Sequence, residues 1–267
     1  MASLKSELKK RTITALFLIP AVLLIIYLGN ICFTILVIIA FGLSEWEFLN
    51  MFNVKVPLRI YSILLLVVPI LLYFFNLKYF IFLSPLLIFL PIPILWNRGI
   101  SIREFALSTF ILIYMLIGAI SVLLLRTHLG VRGILFFLFI IWIFDSLAYI
   151  SGSLWGKHKL AEKISPKKTI EGYIYGILLT IPFAYLLFLL KITPPSAELL
   201  VTLILTVILS ALSQVGDLVE STFKREVGVK DSSNIFPGHG GMLDRIDSIV
   251  FTAPYFALIT RLFGLWK

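Results

Sequence analysis

The sequence predicts an all-α fold: a polytopic integral membrane protein with about nine transmembrane helices. Three observations carry this reading. Of 267 residues, 60% are hydrophobic and only 14% are charged, against roughly 25% charged in an ordinary soluble domain. Mean hydropathy is +1.05, and no soluble fold of this size has enough interior to hide so much apolar surface. The apolar residues also fall in unbroken runs about 20 long, the helix length that crosses a ~30 Å hydrocarbon core. An outer-membrane barrel would alternate apolar and polar residues instead.

Taken in order, spans are expected near 12–29, 31–43, 58–76, 78–96, 104–125, 131–150, 170–190, 198–218 and 247–265. Lys5, Lys9, Lys10 and Arg11 precede the first run. It lacks a small-residue cleavage site and contains Pro20 and Tyr27, so it reads as a retained span and not a signal peptide. The second span is short and runs into Ser44, Glu45, Trp46, Glu47, Phe48 and Leu49, an amphipathic stretch suited to the interface. Short turns at Asn30 and around 76–78 make the first four spans antiparallel neighbours. Residues 1–130 form an N-terminal region of five spans. Residues 131–267 form a catalytic region of four spans with cytoplasmic loops 151–169 and 222–246. No internal repeat is visible, which argues against a transporter built from inverted halves.

Orientation follows from Lys and Arg. With the N-terminus inside, 17 of the 23 basic residues lie on the cytoplasmic side and six outside. The expectation is N-terminus in and C-terminus out, in the cytoplasmic (inner) membrane. The net charge of +9 marks that face. Nucleic-acid binding is not expected, because no soluble basic domain exists to carry it. The single cysteine, Cys32, sits in a span, which excludes a disulfide framework and a thiolate metal site.

Polar character gathers in two stretches on the cytoplasmic side. In the first, Asp145, Tyr149, Gly152 and Gly156 share one helical face, where the glycines would let something polar approach the backbone. Five lysines and a histidine follow within residues 157–168, among them Lys157, Lys167 and Lys168. In the second, Asp217, Glu220, Ser221 and Lys224 form one stripe leaving the eighth span. Arg225, Lys230 and Asp231 follow, then the turn Pro237, Gly238, His239, Gly240, Gly241, then Asp244, Arg245 and Asp247 at the mouth of the ninth. Carboxylates entering a span are functional candidates by default.

The set suits phosphate chemistry. Glycine amides and a helix start can cradle an anion. Lys157, Lys167, Lys168, Arg225, Lys230, His239, Gly240, Gly241 and Arg245 are therefore phosphate-binding candidates. Asp217, Asp244 and Asp247 supply hard oxygen ligands of the kind that hold Mg²⁺ against substrate phosphates. Asp217, Lys224, Asp244, Asp247 and Lys168 are the catalytic candidates, supported by Asp145, Ser221 and Asp231. Glu220 and Glu226 read as bystanders outside the metal assignment.

Residues 216–248 closely resemble the signature of phosphatidate cytidylyltransferases, the CDP-diacylglycerol synthases. The matching positions are Ser221, Lys224-Arg225, Lys230-Asp231, Pro237 to Gly241, Asp244-Arg245 and Asp247. The stretch from Asp145 to Gly172 is also similar to the family's, and the N-terminal part shares its hydropathy and a Glu-Trp at 45–46. The resemblance implies that CTP and phosphatidate give CDP-diacylglycerol and pyrophosphate. It also implies Mg²⁺, a monovalent cation such as K⁺ beside it, and a homodimer within membrane lipid. A CTP-dependent polyprenol or dolichol kinase and a multi-pass lipid transporter are the alternatives. The kinase would release CDP, and the transporter would want charges near mid-span.

Overall fold

The computed structural model describes residues 19–75, 99–236 and 240–266. It contains α1 (Ile19–Leu28), α2 (Asn30–Met51), α3 (Val56–Phe74), α4 (Ile102–Trp155), β1 (Lys159–Ala161), β2 (Ser165–Thr169), α5 (Ile170–Leu189), α6 (Leu199–Glu226) and α7 (Leu243–Leu262). Helices dominate, as expected, and a small antiparallel hairpin of β1 and β2 is added to them. Among the described residues, α2 to α6 are five helices long and apolar enough to cross a membrane. They do not by themselves amount to nine spans. At 54 residues α4 would run about 80 Å if straight. Gly130 (φ 65°, ψ −164°) breaks it into two lengths, where the fifth and sixth spans were expected. Helix α7 carries Asp244, Arg245, Asp247 and Arg261, and is not one of the five. The expected fourth span and residues 12–18 of the first lie outside the described residues.

The chain divides into two compact units. The first holds the described residues up to Ile120 together with Val227–Ile246. In it the second span is corrected. Helix α2 continues unbroken to Met51, and Glu45 and Glu47 are buried, not laid along an interface. Each carboxylate finds at least one donor, although Glu45 Oε2 accepts none. Ser62 of α3 donates its hydroxyl to Glu45, and Glu47 is served by the loop described below. Phe48, Leu49, Leu58, Leu66, Ile111 and Met115 fill the core. The guanidinium of Arg59 sits 5.5 Å over the Trp46 ring and donates from Nε to Val54 O at 2.5 Å. Helix α4 opens with a capping box. Ser101 N–H donates to Glu104 Oε2 at 2.8 Å, and Glu104 N–H donates to Ser101 Oγ at 3.2 Å.

The second unit comprises Ser121–Glu226 and α7 from Asp247 onward. Its α5 is inverted relative to a soluble helix. Gly172, Gly176, Thr180 and Ala184 are buried, while Ile174, Leu178, Leu186 and Leu189 are exposed. Lipid rewards no burial of large apolar groups, so close contact between small residues drives helix association there. Gly152 of α4 belongs to this seam, which corrects its reading as a polar approach. A Cβ at Gly172 would stand 2.8 Å from both Gly152 Cα and Ala148 O, and one at Gly176 would stand 2.8 Å from Ala148 Cβ. The α4 and α5 backbones are in contact, and Ser151 Oγ of α4 donates to Gly172 O of α5 at 3.2 Å. Phe137 stacks on Phe256 at 5.2 Å, which ties α4 to α7.

Candidate active site

In the second unit, α6 and α7 cross where Gly216 has no side chain. A Cβ there would lie 2.9 Å from Phe251 Cβ and 3.0 Å from Ser248 Cα. Ser248 Oγ donates to Ser213 O at 3.1 Å and fastens the crossing. The next residue on α6 is Asp217, and the one before Ser248 is Asp247. Contact of the two backbones thus sets these carboxylates face to face. One ligand oxygen from each of Asp217, Glu220 and Asp247 lies within 4.8 Å of the others. Unscreened, each such pair repels by about 3–4 kcal/mol at an effective dielectric near 20.

Cations and hydroxyls compensate. Lys168 from β2 pairs with Asp217, and Lys224 Nζ is 2.6 Å from Glu220 Oε2, both partners of the latter pair being buried. Ser221 Oγ donates to Asp217 Oδ1 at 3.2 Å, and Ser248 N–H donates to Asp247 Oδ1 at 2.7 Å. Asp145 of α4 accepts from Ser213 Oγ at 3.0 Å and, with Asp217 and Lys168, acts electrostatically on Asp247. Four carboxylates are thus set beside two ammonium groups.

The hairpin decides which lysine takes part. Successive strand residues point to opposite faces, so Lys167 is exposed while its neighbour Lys168 reaches Asp217. Glu171, in the first turn of α5, anchors the hairpin's entry. It accepts from Lys157 N–H at 2.9 Å and His158 N–H at 3.0 Å, and lies 2.5 Å from His158 Nδ1. Arg225 Nε donates to Ile164 O at 3.0 Å, so that donor supports the hairpin turn.

In the first unit, the loop between α6 and α7 is closed by two carboxylates. Glu47 Oε2 accepts from Ser232 Oγ (2.9 Å) and Leu243 N–H (2.8 Å). Its Oε1 accepts from Ser233 Oγ (2.6 Å) and Met242 N–H (3.0 Å). Asp244 Oδ2 accepts from Ser232 N–H (2.9 Å), Ser232 Oγ (2.9 Å) and Gly241 N–H (2.7 Å). Gly240 takes φ +80°, and a Cβ on Gly241 would overlap Ser232 Oγ and both Glu47 oxygens.

A family model described as the cytidylyltransferase family matches residues 9–263. The chain belongs to the cytidylyltransferase family. The phosphatidate cytidylyltransferase of Staphylococcus haemolyticus is 36% identical over 257 residues, covering 92% of this chain and 96% of that protein. The protein of the same name from Staphylococcus aureus (strain COL) is 36% identical over 258 residues with the same coverage. That from Staphylococcus saprophyticus subsp. saprophyticus is 42% identical over 169 residues, and there the match spans 62% of this chain and 63% of the relative.

The structure of this cytidylyltransferase sorts the candidates. It brings together Asp217, Asp247, Lys168, Lys224, Ser221 and Asp145. Asp244 belongs to the first unit, where its Oδ2 holds the loop. The amides of Gly241, Met242 and Leu243, expected to cradle phosphate, are taken by Asp244 and Glu47, because the helix start has captured carboxylates of its own chain. Lys157, Lys167, Lys230, Asp231 and Arg245 are exposed, and Gly240 has a positive φ. His239 lies outside the described residues. Two residues were missed. Glu220 read as a bystander although its i, i+3 spacing from Asp217 was a signal. Glu47 read as interfacial although a carboxylate inside an apolar run was one too.

Proposed function

We propose that this chain transfers the cytidylyl group of CTP to phosphatidate, giving CDP-diacylglycerol and pyrophosphate. The observation that carries the reading is the group Asp217, Glu220 and Asp247 with Lys168 and Lys224 against it. Family membership and the name of relatives matched over 92% of this chain supply the substrate class. The phosphate monoester of phosphatidate attacks the α-phosphorus of CTP. One P–O bond forms, the bond to the terminal diphosphate breaks, and pyrophosphate leaves. The monoester is largely dianionic at neutral pH, so no strong general base is required. The protein's work is to position two anions and neutralise their charge.

The all-oxygen donor set fits a hard cation. Asp217 and Asp247, with Glu220 beside them, would hold Mg²⁺, and the surplus carboxylate would suit a monovalent cation such as K⁺. When bound, Mg²⁺ supplies charge stabilisation to the phosphoryl oxygens. Lys168 and Lys224 keep the carboxylates in place and turn to phosphate oxygens as substrates arrive. Asp145 and Ser221 orient the group, and Asp244 holds the loop. The Lys and Arg asymmetry supports a site facing the cytoplasm with the N-terminus inside. Phosphatidate then enters laterally with its acyl chains still in lipid. The homodimer implied by the resemblance completes the reading.

The test is purified protein in detergent with phosphatidate, Mg²⁺ and each nucleoside triphosphate. CTP is expected to give stoichiometric pyrophosphate and a CDP-lipid. CDP release with a phosphorylated prenol would replace this reading by the kinase.

A further inference from the structure

We infer that Glu47 of α2 is the positioning residue of the signature loop, so that an N-terminal helix forms part of the reaction machinery and is not merely an anchor. The inference deepens the cytidylyltransferase reading and rests on it. Glu47 is 2% exposed. Each of its oxygens accepts one hydroxyl and one amide, and the four donors come from both ends of the loop, at Ser232 and Ser233 and at Met242 and Leu243. One carboxylate thus pins two chain segments separated by the turn. Gly241 has no room for a side chain because Glu47 and Ser232 fill that space. The carboxylate is saturated by these donors, so it positions and does not bind substrate. Asp244 shares Ser232 with it, and Gly241 N–H is fixed on Asp244 in turn. Loss of Glu47 releases Ser233 and the amides of Met242 and Leu243 together, and leaves Ser232 to Asp244 alone.

The test compares Glu47→Gln, Glu47→Asp and wild type, each purified in detergent with CTP and phosphatidate. Two readouts are taken: kcat and KM for CTP, and hydrogen–deuterium exchange of peptides covering 232–236 and 240–246. Glu47→Gln keeps the volume but replaces one acceptor oxygen with a donor facing N–H and O–H groups. It is expected to raise exchange in those peptides at least about tenfold, with exchange in the rest of the chain as in wild type, to lower kcat/KM roughly 10- to 100-fold, and to lower the midpoint of thermal unfolding. Glu47→Asp retains the charge on a shorter arm and is expected to recover part of both. If Glu47→Gln does not fold, Ser233→Ala, which removes one donor, is expected to raise exchange and lower kcat/KM by a few-fold. Wild-type exchange in the variants overturns the inference, as does raised exchange with unchanged kinetics. Wild-type protein without cytidylyl transfer overturns the functional reading instead, and exchange then still shows whether Glu47 holds the loop.

Discussion

Around Asp217 the second unit sets carboxylates against one another, whereas around Glu47 the first unit sets carboxylates against hydrogen-bond donors. Glu47 and Asp244 Oδ2 are together met by six donor groups, four amides and two hydroxyls, the Ser232 hydroxyl being shared between them. That satisfies a buried charge locally and asks for no ion. Asp217, Glu220 and Asp247 meet two lysines and each other. Carboxylates set this close repel one another, and a bound cation with an anionic substrate would complete the group. The same residue types therefore do different work, and the number of donors around each carboxylate is what separates a ligand from a fastener.

The largest effect should come from breaking the first kind. Asp217→Asn or Asp247→Asn keeps volume and removes charge. Each is expected to lower kcat at least ~100-fold, since metal stabilisation of the transition state is worth several kcal/mol. The double variant should be scarcely worse than either single one, because both act through one ion. Asp244→Asn sharpens the contrast. It should also lose activity, through Ser232 and Gly241, but leave the half-saturating Mg²⁺ concentration as in wild type. A steady-state Mg²⁺ titration of the three variants checks this. A shifted Mg²⁺ requirement in Asp244→Asn, with none in Asp217→Asn, would reverse the assignment.

Part of this was legible beforehand. Helices α3, α5 and α6 lie where apolar runs placed their spans, because run length alone dictates a membrane helix. Asp217 and Asp247 were legible as carboxylates at span ends. Glu47 was not, since its partners lie 185 to 196 residues away and no local pattern encodes them. The hairpin escaped because three- and five-residue strands rich in lysine have no apolar alternation to betray them. The role of Gly152 was misjudged for a related reason. A small residue facing lipid-embedded Gly172 and one facing a ligand look alike until the opposing helix is known.

Glu220 was set aside in the sequence in spite of its spacing from Asp217. Glu220→Gln removes the carboxylate charge that faces the Lys224 ammonium, itself 9% exposed. Breaking a buried pair on one side costs about 3–5 kcal/mol. This variant is therefore expected to unfold at lower temperature and to turn over roughly tenfold more slowly. Double replacement by Gln and Met at 220 and 224 should recover much of the stability but not the rate. Thermal unfolding followed by tryptophan fluorescence, beside kcat, separates the two. A fully active, fully stable Glu220→Gln would return Glu220 to the margin of the site.

The smallest effect, at Lys167, is read against that of its neighbour Lys168. In β2 the side chains alternate, so Lys168 turns inward to Asp217 and Lys167 turns to solvent. Lys168→Met removes a charge-assisted bond worth ~1.5–3 kcal/mol, so kcat/KM should fall roughly ten- to hundredfold while folding is retained. Lys167→Met alters an exposed charge that solvent already screens. Its kcat/KM should stay within about threefold of wild type, with the residual loss growing at low ionic strength, where long-range attraction of CTP persists. The measurement is kcat/KM for CTP in both variants at two salt concentrations. Equal losses would mean that the hairpin does not choose between the lysines by strand alternation. The compensation of Asp217 would then come from the whole basic segment and not from one placed ammonium.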